Sequence, residues 1–129
     1  MDWDKLTKEC PLLYRNTISF DCQDGWFDLI ANLSYKLEKL IAEQEAKYPD
    51  AEIKMYAEQV KEKFGALRFY MSSATNDMFN LIDEAECLSS KTCDLCGKEG
   101  KMNNNTGWIR TLCKEHWRMG AKRQREYDE

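Results

Sequence analysis

The sequence predicts an α+β protein with a small metal-stabilised module at its C-terminal end. Two amphipathic helical patterns flank a segment with strand-like alternation, and a Cys/His quartet follows the second helix. The 129 residues suffice for one modest core, to which a metal-stabilised module can add stability. We therefore expect an α+β body over residues 1–92 and a zinc-finger module over residues 93–129.

The first two helices are indicated by apolar residues three or four positions apart. Near the N terminus, this spacing predicts a short helix that ends near Pro11 or continues irregularly past it. A stronger stripe follows Asp24, a residue type that caps helices. The stripe consists of Trp26, Ile30, Leu33, Leu37 and Leu40 or Ile41. It predicts an amphipathic helix over about residues 25–46 that stops before Pro49.

The middle of the chain changes to the period of a β-strand. In the segment ALRFYM, every second residue from Leu67 to Met71 is suited to a core, and Gly65 suits the preceding turn. We expect a β-hairpin with arms at about 53–60 and 66–72. The first arm is ambiguous, because AEQVKEKF also fits a turn of helix.

A further helix is predicted over about residues 76–90. Three cap-forming residues, Thr75 to Asp77, precede an apolar line that runs from Met78 through Ile82. The helix leads into the short segment SSKT, which cannot act as a flexible linker. The zinc module should therefore dock on the body.

Four soft ligands define the candidate metal site: Cys93, Cys96, Cys113 and His116. Two Cys-x2-Cys/His pairs, separated by sixteen residues, match the ligand patterns of structural zinc sites. Three thiolates and one imidazole complete a tetrahedron, so we expect one structural Zn²⁺. Gly97 suits a tight knuckle, GWIRTL reads as a strand and CKEHWR as a helix start. The order indicates a treble-clef-like or zinc-ribbon-like module.

Charge is unevenly distributed along the chain. Residues 1–92 contain 11 basic and 17 acidic residues, a net charge of −6, whereas residues 93–129 contain 8 and 6, a net charge of +2. The acidic body disfavours nucleic acid, which only the C-terminal end could attract. The chain has no long apolar run and starts with acidic residues, so we expect a cytoplasmic protein with no membrane segment.

Three further cysteines follow no ligand spacing: Cys10, Cys22 and Cys87. Thiols in an intracellular protein stay reduced, so a disulfide framework is not expected. We interpret these three as small core or half-buried residues.

Catalysis is the function class that the residues favour least. The single histidine, His116, is needed as a ligand and leaves no imidazole for a general base, which argues against an HNH-type nuclease. A deaminase-type site needs an open coordination position, and Glu115 beside the ligand is more simply a solvated helix residue. Phosphate-binding loops and nucleophile elbows are also missing from the sequence. We expect a protein that is not an enzyme.

A basic stripe on the C-terminal helix offers an alternative function. Its members are Lys114, Arg118, Lys122 and Arg125, with Arg123 beside them. Such a stripe could follow phosphates and would make the protein a nucleic-acid-binding regulator. The opposing interpretation is a solvent-exposed terminal helix whose positive charges are balanced by nearby acidic residues. Trp108 and Trp117 fit the small core of a zinc module better than base stacking.

Two other sets of residues are candidates for partner contact. The aromatic set is Trp26, Phe27, Phe64, Phe69 and Tyr70, and the acidic set is Glu38, Glu43, Glu45, Glu58 and Glu62. Periodicity assigns most of the aromatic residues to the core, so an exposed one would be informative. The acids could face a basic nucleic-acid channel, although a solvated surface explains them better.

Four segments carry a resemblance to a known group: DCQDGWFDLI, VKEKFGALRFY, AECLSSKTCDLCGKEG and GWIRTLCKEH. Over about residues 20–118 they resemble small zinc-finger proteins encoded by phages and prophages. The matching positions are Cys22, Asp24, Gly25, Trp26, Lys63, Phe64, Gly65, Leu67, Arg68, Phe69, Tyr70, Ala85, Glu86, Ser89 and the four metal ligands. The chain departs from the group at Gln23 and at Ala66, where a second glycine is common.

The resemblance implies the fold of that group and an origin on a mobile element. Small accessory phage proteins commonly bind a host machine rather than catalyse a reaction, and anti-CRISPR proteins are one such class. The resemblance therefore favours an inhibitor that binds a host defence protein or ribonucleoprotein, for example a CRISPR effector such as Cas9, by occlusion.

Overall fold

A computed structural model describes residues 1–103 and 109–118 of the protein. The helices are α1 (Trp3–Glu9), α2 (Phe27–Lys47) and α3 (Asn76–Ser89). The strands are β1 (Phe20–Asp21), β2 (Ala57–Lys63), β3 (Ala66–Met71), β4 (Lys101–Asn103) and β5 (Arg110–Leu112). One sheet has the order β1-β2-β3, and β4 pairs with β5 in a second one. The predicted α+β class is confirmed.

The N-terminal segment folds as a short helix followed by a turn that α2 holds in place. The Asp2 carboxylate accepts a hydrogen bond from the Lys5 N–H and caps α1. After Pro11, the backbone N–H groups of Leu12 and Leu13 both donate to the Glu38 carboxylate of α2. This single side chain satisfies the donors that the broken helix leaves free.

The long helix α2 begins slightly later than the periodicity predicts. Residues Asp24–Trp26 form a 3-10 turn, and the α-helix spans Phe27–Lys47 instead of residues 25–46. A tighter turn at a helix start is common, because its i→i+3 bonds satisfy backbone groups that the first turn leaves unpaired. The indole of Trp26 is fully buried at this point.

The hairpin β2–β3 is antiparallel, and its turn is unusual. Phe64 and Gly65 both have positive φ, 53° and 84°, as a two-residue type I′ turn requires. Strand β2 spans residues 57–63 rather than about 53–60: Tyr56 still accepts a hydrogen bond from the Ser72 N–H, but the residues before it leave the sheet, and Ile53 is 75% exposed. The helical alternative for AEQVKEKF is wrong, since Val60 pairs with Phe69 in the sheet. Strand β1, parallel to β2, was not predicted.

The helices lie on one side of the three-stranded sheet and enclose the main core. The Thr75 hydroxyl accepts a hydrogen bond from the Met78 N–H at the start of α3, which ends one residue before the predicted position 90. Buried side chains of α3 meet those of α2 and of the sheet, including Leu67 and Phe69. In the described ranges, no helix combines the length and the apolar character that a membrane span needs.

Candidate metal centre

The first ligand pair lies in a knuckle that follows α3. The Gly97 N–H donates to the Cys93 carbonyl at 2.9 Å, and the Cys93 N–H donates to the Lys98 carbonyl at 2.7 Å. Gly97 has a φ of 80°, which L side chains rarely adopt, so the glycine predicted at this position allows the tight turn. The turn brings the side chains of Cys93 and Cys96 to one side.

The second pair follows the β4–β5 hairpin. Cys113 comes directly after β5, and His116 lies in the helical residues 114–118. Backbone N–H groups of His116 and Glu115 at this helix start lower the pKa of the Cys113 thiol. A lowered pKa favours the thiolate, which is the form that binds metal. Knuckle, hairpin and helix start therefore occur in the predicted order.

The four ligand atoms have the spacing of a tetrahedral centre. They all lie within 4.8 Å of one another, with 3.7 Å between the sulfurs of Cys96 and Cys113 and 3.5 Å from Cys93 Sγ to His116 Nδ1. An ion with metal–sulfur bonds of about 2.3 Å sets the sulfurs of a tetrahedron about 3.8 Å apart. Disulfide sulfurs lie about 2.0 Å apart, so the spacing fits a shared ion and not a disulfide.

The quartet could therefore hold a metal ion, and its ligand set is consistent with zinc. The side chains of Cys93 and Cys113 are buried, that of His116 is half-buried and that of Cys96 is exposed. The imidazole presents Nδ1 to the sulfurs, so an ion bound there would leave the ring proton on Nε2. Within residues 1–103 and 109–118, no other group of His, Cys, Asp and Glu is arranged in this way.

The module docks on the body, as the short connection predicts. The Gly25 N–H donates to the Asp94 carbonyl, and the Trp26 indole N–H donates to the Thr92 carbonyl, both at 2.9 Å. On the other side, the Thr111 hydroxyl donates to the Gly65 carbonyl at 2.6 Å. A Cβ at position 25 would lie 2.6 Å from the Asp94 carbonyl oxygen, so only glycine permits this approach.

An ion pair between Asp94 and Arg110 joins the knuckle to β5, and no sequence pattern predicts it. Arg110 donates two hydrogen bonds to Asp94, at 2.6 and 3.2 Å, and the Asp94 side chain is only 3% exposed. The two residues are sixteen positions apart, and neither belongs to a motif. The pair orients β5, whose end carries the ligand Cys113.

Replacing Asp94 with asparagine is expected to lower the free energy of unfolding by about 2 kcal/mol, the size typical of hydrogen bonds to charged groups. Arg110, one third exposed, would lose its carboxylate partner. Urea titration of the metal-loaded protein measures the change, with Asp83→Asn on the exposed face of α3 as the matched control. Equal stability of the two variants would contradict a structural role for the pair.

The cysteines outside the quartet differ in environment. Burial raises the pKa of Cys10 and of Cys22 to about 12, which keeps both thiols neutral at physiological pH. Cys10 is buried and Cys22 half-buried, as predicted. The prediction is wrong for Cys87, which is exposed because it lies on the outer face of α3.

The acidic residues proposed for partner contact are only partly available. Glu38 holds the turn after Pro11, Glu45 pairs with Arg15 at 2.6 Å and Glu62 accepts a hydrogen bond from the Gly65 N–H. Glu43 and Glu58 are exposed. Three of the five carboxylates therefore stabilise the fold itself.

The basic stripe is described only at its beginning. Lys114 and Arg118 are exposed, whereas Lys122, Arg123 and Arg125 lie outside the described residues. The stripe therefore stays a prediction. Trp117 is half-buried against Cys93, Leu112 and Cys113, whereas Trp108 also lies outside the described residues.

Two aromatic residues of the hairpin depart from the core assignment. Trp26 and Phe69 are buried and Phe27 is half-buried, but Phe64 is 65% and Tyr70 is 41% exposed. Exposed rings on a rigid hairpin are candidates for contact with a partner.

Comparison with known proteins gives no relative: no family model matches the chain, and no curated protein or solved structure is significantly similar to it.

Proposed function

We propose that the protein is a zinc-stabilised interaction protein that inhibits a host defence protein or ribonucleoprotein by occlusion. Three thiolates and one imidazole at tetrahedral spacing are a ligand set typical of structural zinc. The chain supplies all four ligands, so in this proposal the ion stabilises the fold and does not bind a substrate. Function then depends on the surface that the metal-bound module completes.

The observation that carries the proposal is an exposed apolar surface, the junction patch, formed by Phe64, Met102 and Ile109. Their exposed fractions are 65%, 45% and 37%. Met102 and Ile109 lie over the hairpin turn: a Cβ at Gly65 would be 3.2 Å from Met102 Cε and 2.8 Å from Ile109 Cγ2. Because Phe64 precedes Gly65 in the same turn, the proposal takes the three side chains as one apolar surface to which the body and the zinc module both contribute.

The backbone at Phe64 supports a binding role for the patch. A left-handed conformation is unfavourable for residues other than glycine by roughly 1–2 kcal/mol, and Asn, Asp or Gly usually occupies this turn position. Phe64 has a φ of 53° and yet directs an apolar ring into solvent, where it adds little to the core. Rigid exposed aromatic rings are the residues that most often dominate protein interfaces.

The proposal also gives the zinc ion a role in binding. Met102 belongs to β4 and Ile109 precedes β5, so both depend on the module that the ion holds together. Metal loss would separate them from Phe64 on the body. Inhibitory activity is therefore expected to require the metal-bound protein.

The double variant Phe64→Asn/Met102→Gln is expected to weaken capture of the partner by about 30-fold or more, as loss of an interface hot spot does. Asparagine tolerates the left-handed turn, so the fold should be kept. The measurement is affinity capture of the tagged protein from host lysate, before and after nuclease treatment, with bound proteins identified by mass. The matched control is Phe79→Gln, which removes a 49% exposed ring from α3.

A partner that survives nuclease treatment, is retained by Phe79→Gln and is lost with the double variant would support the proposal. If the partner is a CRISPR effector such as Cas9, the purified protein should also stop its RNA-guided cleavage. Equal capture by the wild type and the double variant would contradict the role of the patch, and loss of all partners with nuclease would favour the nucleic-acid-binding alternative.

A further inference from the structure

We infer that the solvent side of the β2–β3 hairpin binds single-stranded nucleic acid. This surface, the open face, consists of Lys61, Lys63, Arg68 and Tyr70. It lies on strands β2 and β3 of the body and shares no residue with the C-terminal basic stripe. The inference goes beyond the proposed function and does not depend on it.

The strand register places these side chains on one side of the sheet. Lys61 is directly opposite Arg68, and Tyr70 is opposite Gln59. The residues that alternate with them, among them Val60 and Phe69, are buried against the helices. Successive side chains of a strand point to opposite faces, so the open face points away from the core.

The positive charges of the open face do not stabilise the fold. Like charges directly opposite in an antiparallel pair are destabilising, and Lys61 and Arg68 form such a pair. Among the described residues, salt bridges join only Lys5, Arg15, Lys54 and Arg110 to carboxylates, so the three cations of this face are unpaired like most others; what sets them apart is that they lie together on one face of the sheet. Three uncompensated cations in a chain of net charge −4 indicate an anionic partner.

Tyr70 supplies the second element of nucleic-acid recognition. Its ring is 41% exposed, and Lys61 Nζ lies 6.0 Å from the ring centroid. Lys63 Nζ lies 5.7 Å from the centroid of Phe64 at the hairpin tip, so cations and rings alternate along the surface. Proteins that bind single strands combine this arrangement of positive charge with aromatic rings on which bases stack.

The same features favour a single strand over a duplex. A base can stack on an exposed ring only when its own face is free, and pairing hides that face inside the helix. On the β1 side, Asp21 and Glu58 border the hollow beside Tyr70 and would repel phosphates. The bound single-stranded nucleic acid is therefore expected to run from Tyr70 along Lys61 and Arg68 towards the hairpin tip.

The experiment measures fluorescence anisotropy of labelled oligothymidine, oligouridine and a duplex of equal length against salt concentration. The double variant Lys61→Ala/Arg68→Ala should weaken binding of both single strands at least about tenfold at low salt. It should also reduce the slope of log K against log salt by about 1.4, the value for two lost phosphate contacts. Lys36→Ala/Lys39→Ala removes equal charge from the exposed side of α2 and should change neither quantity by this much.

The stacking contribution is tested separately. Tyr70→Ala should weaken binding about tenfold, whereas Tyr70→Phe, which keeps the ring, should bind like the wild type. Thermal unfolding should show the charge variant to be at least as stable as the wild type, because the opposed cations are removed. Comparison of the two oligonucleotides shows whether DNA or RNA is preferred, and either preference supports the inference.

Several results would overturn the inference that the open face binds single-stranded nucleic acid. The wild type could fail to bind either single strand at low salt, or the two charge variants could bind equally. Loss of binding in Lys114→Ala/Arg118→Ala alone would assign the activity to the C-terminal helix. Binding of oligoglutamate as tight as that of oligothymidine, unchanged by Tyr70→Ala, would identify an acidic polypeptide as the ligand.

Discussion

The variant Cys96→Ser is expected to lose the metal and to unfold the C-terminal module while the body remains folded. In the described residues, the small core of the module consists of Cys93, Leu112 and Cys113, with Trp117 packed against it. So few apolar groups cannot offset the conformational entropy of ordering the module. In the proposed zinc-bound state the ion supplies this deficit, since the apparent binding free energy of structural zinc in zinc fingers is about 10–16 kcal/mol. Serine lacks the thiolate that zinc requires.

This first prediction is checked by two-dimensional amide NMR of the zinc-loaded protein. The amide proton chemical shifts of β4 and β5 should fall in the narrow range of an unfolded chain. Those of α2 and β3 should remain dispersed. Cys87→Ser, at an exposed cysteine outside the quartet, is the matched control and should leave the spectrum intact. A dispersed β4–β5 hairpin in Cys96→Ser would show that the ligand set is wrong.

The variant Trp26→Ala is expected to lower the free energy of unfolding by about 3–5 kcal/mol, the range for large-to-small changes of buried aromatic residues. The side chain is completely buried, and its indole N–H donates to the Thr92 carbonyl just before the knuckle. The substitution removes core contacts at the start of α2 and one of the hydrogen bonds that dock the module. Such a loss is a large part of the stability of a domain of this size.

Urea titration followed by circular dichroism measures the second prediction. Trp26→Phe keeps most of the apolar volume but removes the hydrogen-bond donor. Its free energy of unfolding should therefore lie between those of the wild type and the alanine variant. An alanine variant less than about 1 kcal/mol below the wild type would mean that the residue does not support the core in the way its burial indicates.

The regular elements could be predicted because their signals are local. The apolar period predicted α2 and α3, and alternation after Gly65 predicted β3. The ligand spacing predicted the quartet, since two short pairs must face each other to share an ion. In each case, neighbouring residues carry the pattern, so no knowledge of distant contacts was needed.

Other features depend on contacts between distant parts of the chain. The parallel pairing of β1 with β2, the Asp94–Arg110 pair and the approach of Gly25 to the knuckle have no counterpart in local sequence. The alternation that predicts β3 places Tyr70 on the face opposite Leu67 and Phe69, but the exposure of that face could not be derived from the sequence, because it depends on which elements pack against the sheet. It became informative only once the register showed which residues lie on the helix side.

The two proposed surfaces lie next to each other on the same hairpin. Phe64 belongs to the junction patch at the tip, and Lys63 of the open face lies above its ring. A ribonucleoprotein presents both apolar protein surface and single-stranded nucleic acid, so one partner of this kind could contact both surfaces. The separate variants of Phe64 and of Lys61 with Arg68 distinguish the two contributions.

The most direct test of the metal centre is the zinc content of the purified protein, measured by elemental mass spectrometry without added metal. We predict about one equivalent of zinc per chain, a loss of most of it in Cys96→Ser, and no loss in Cys87→Ser. Folded wild-type protein free of metal, or full zinc retention in Cys96→Ser, would contradict the account.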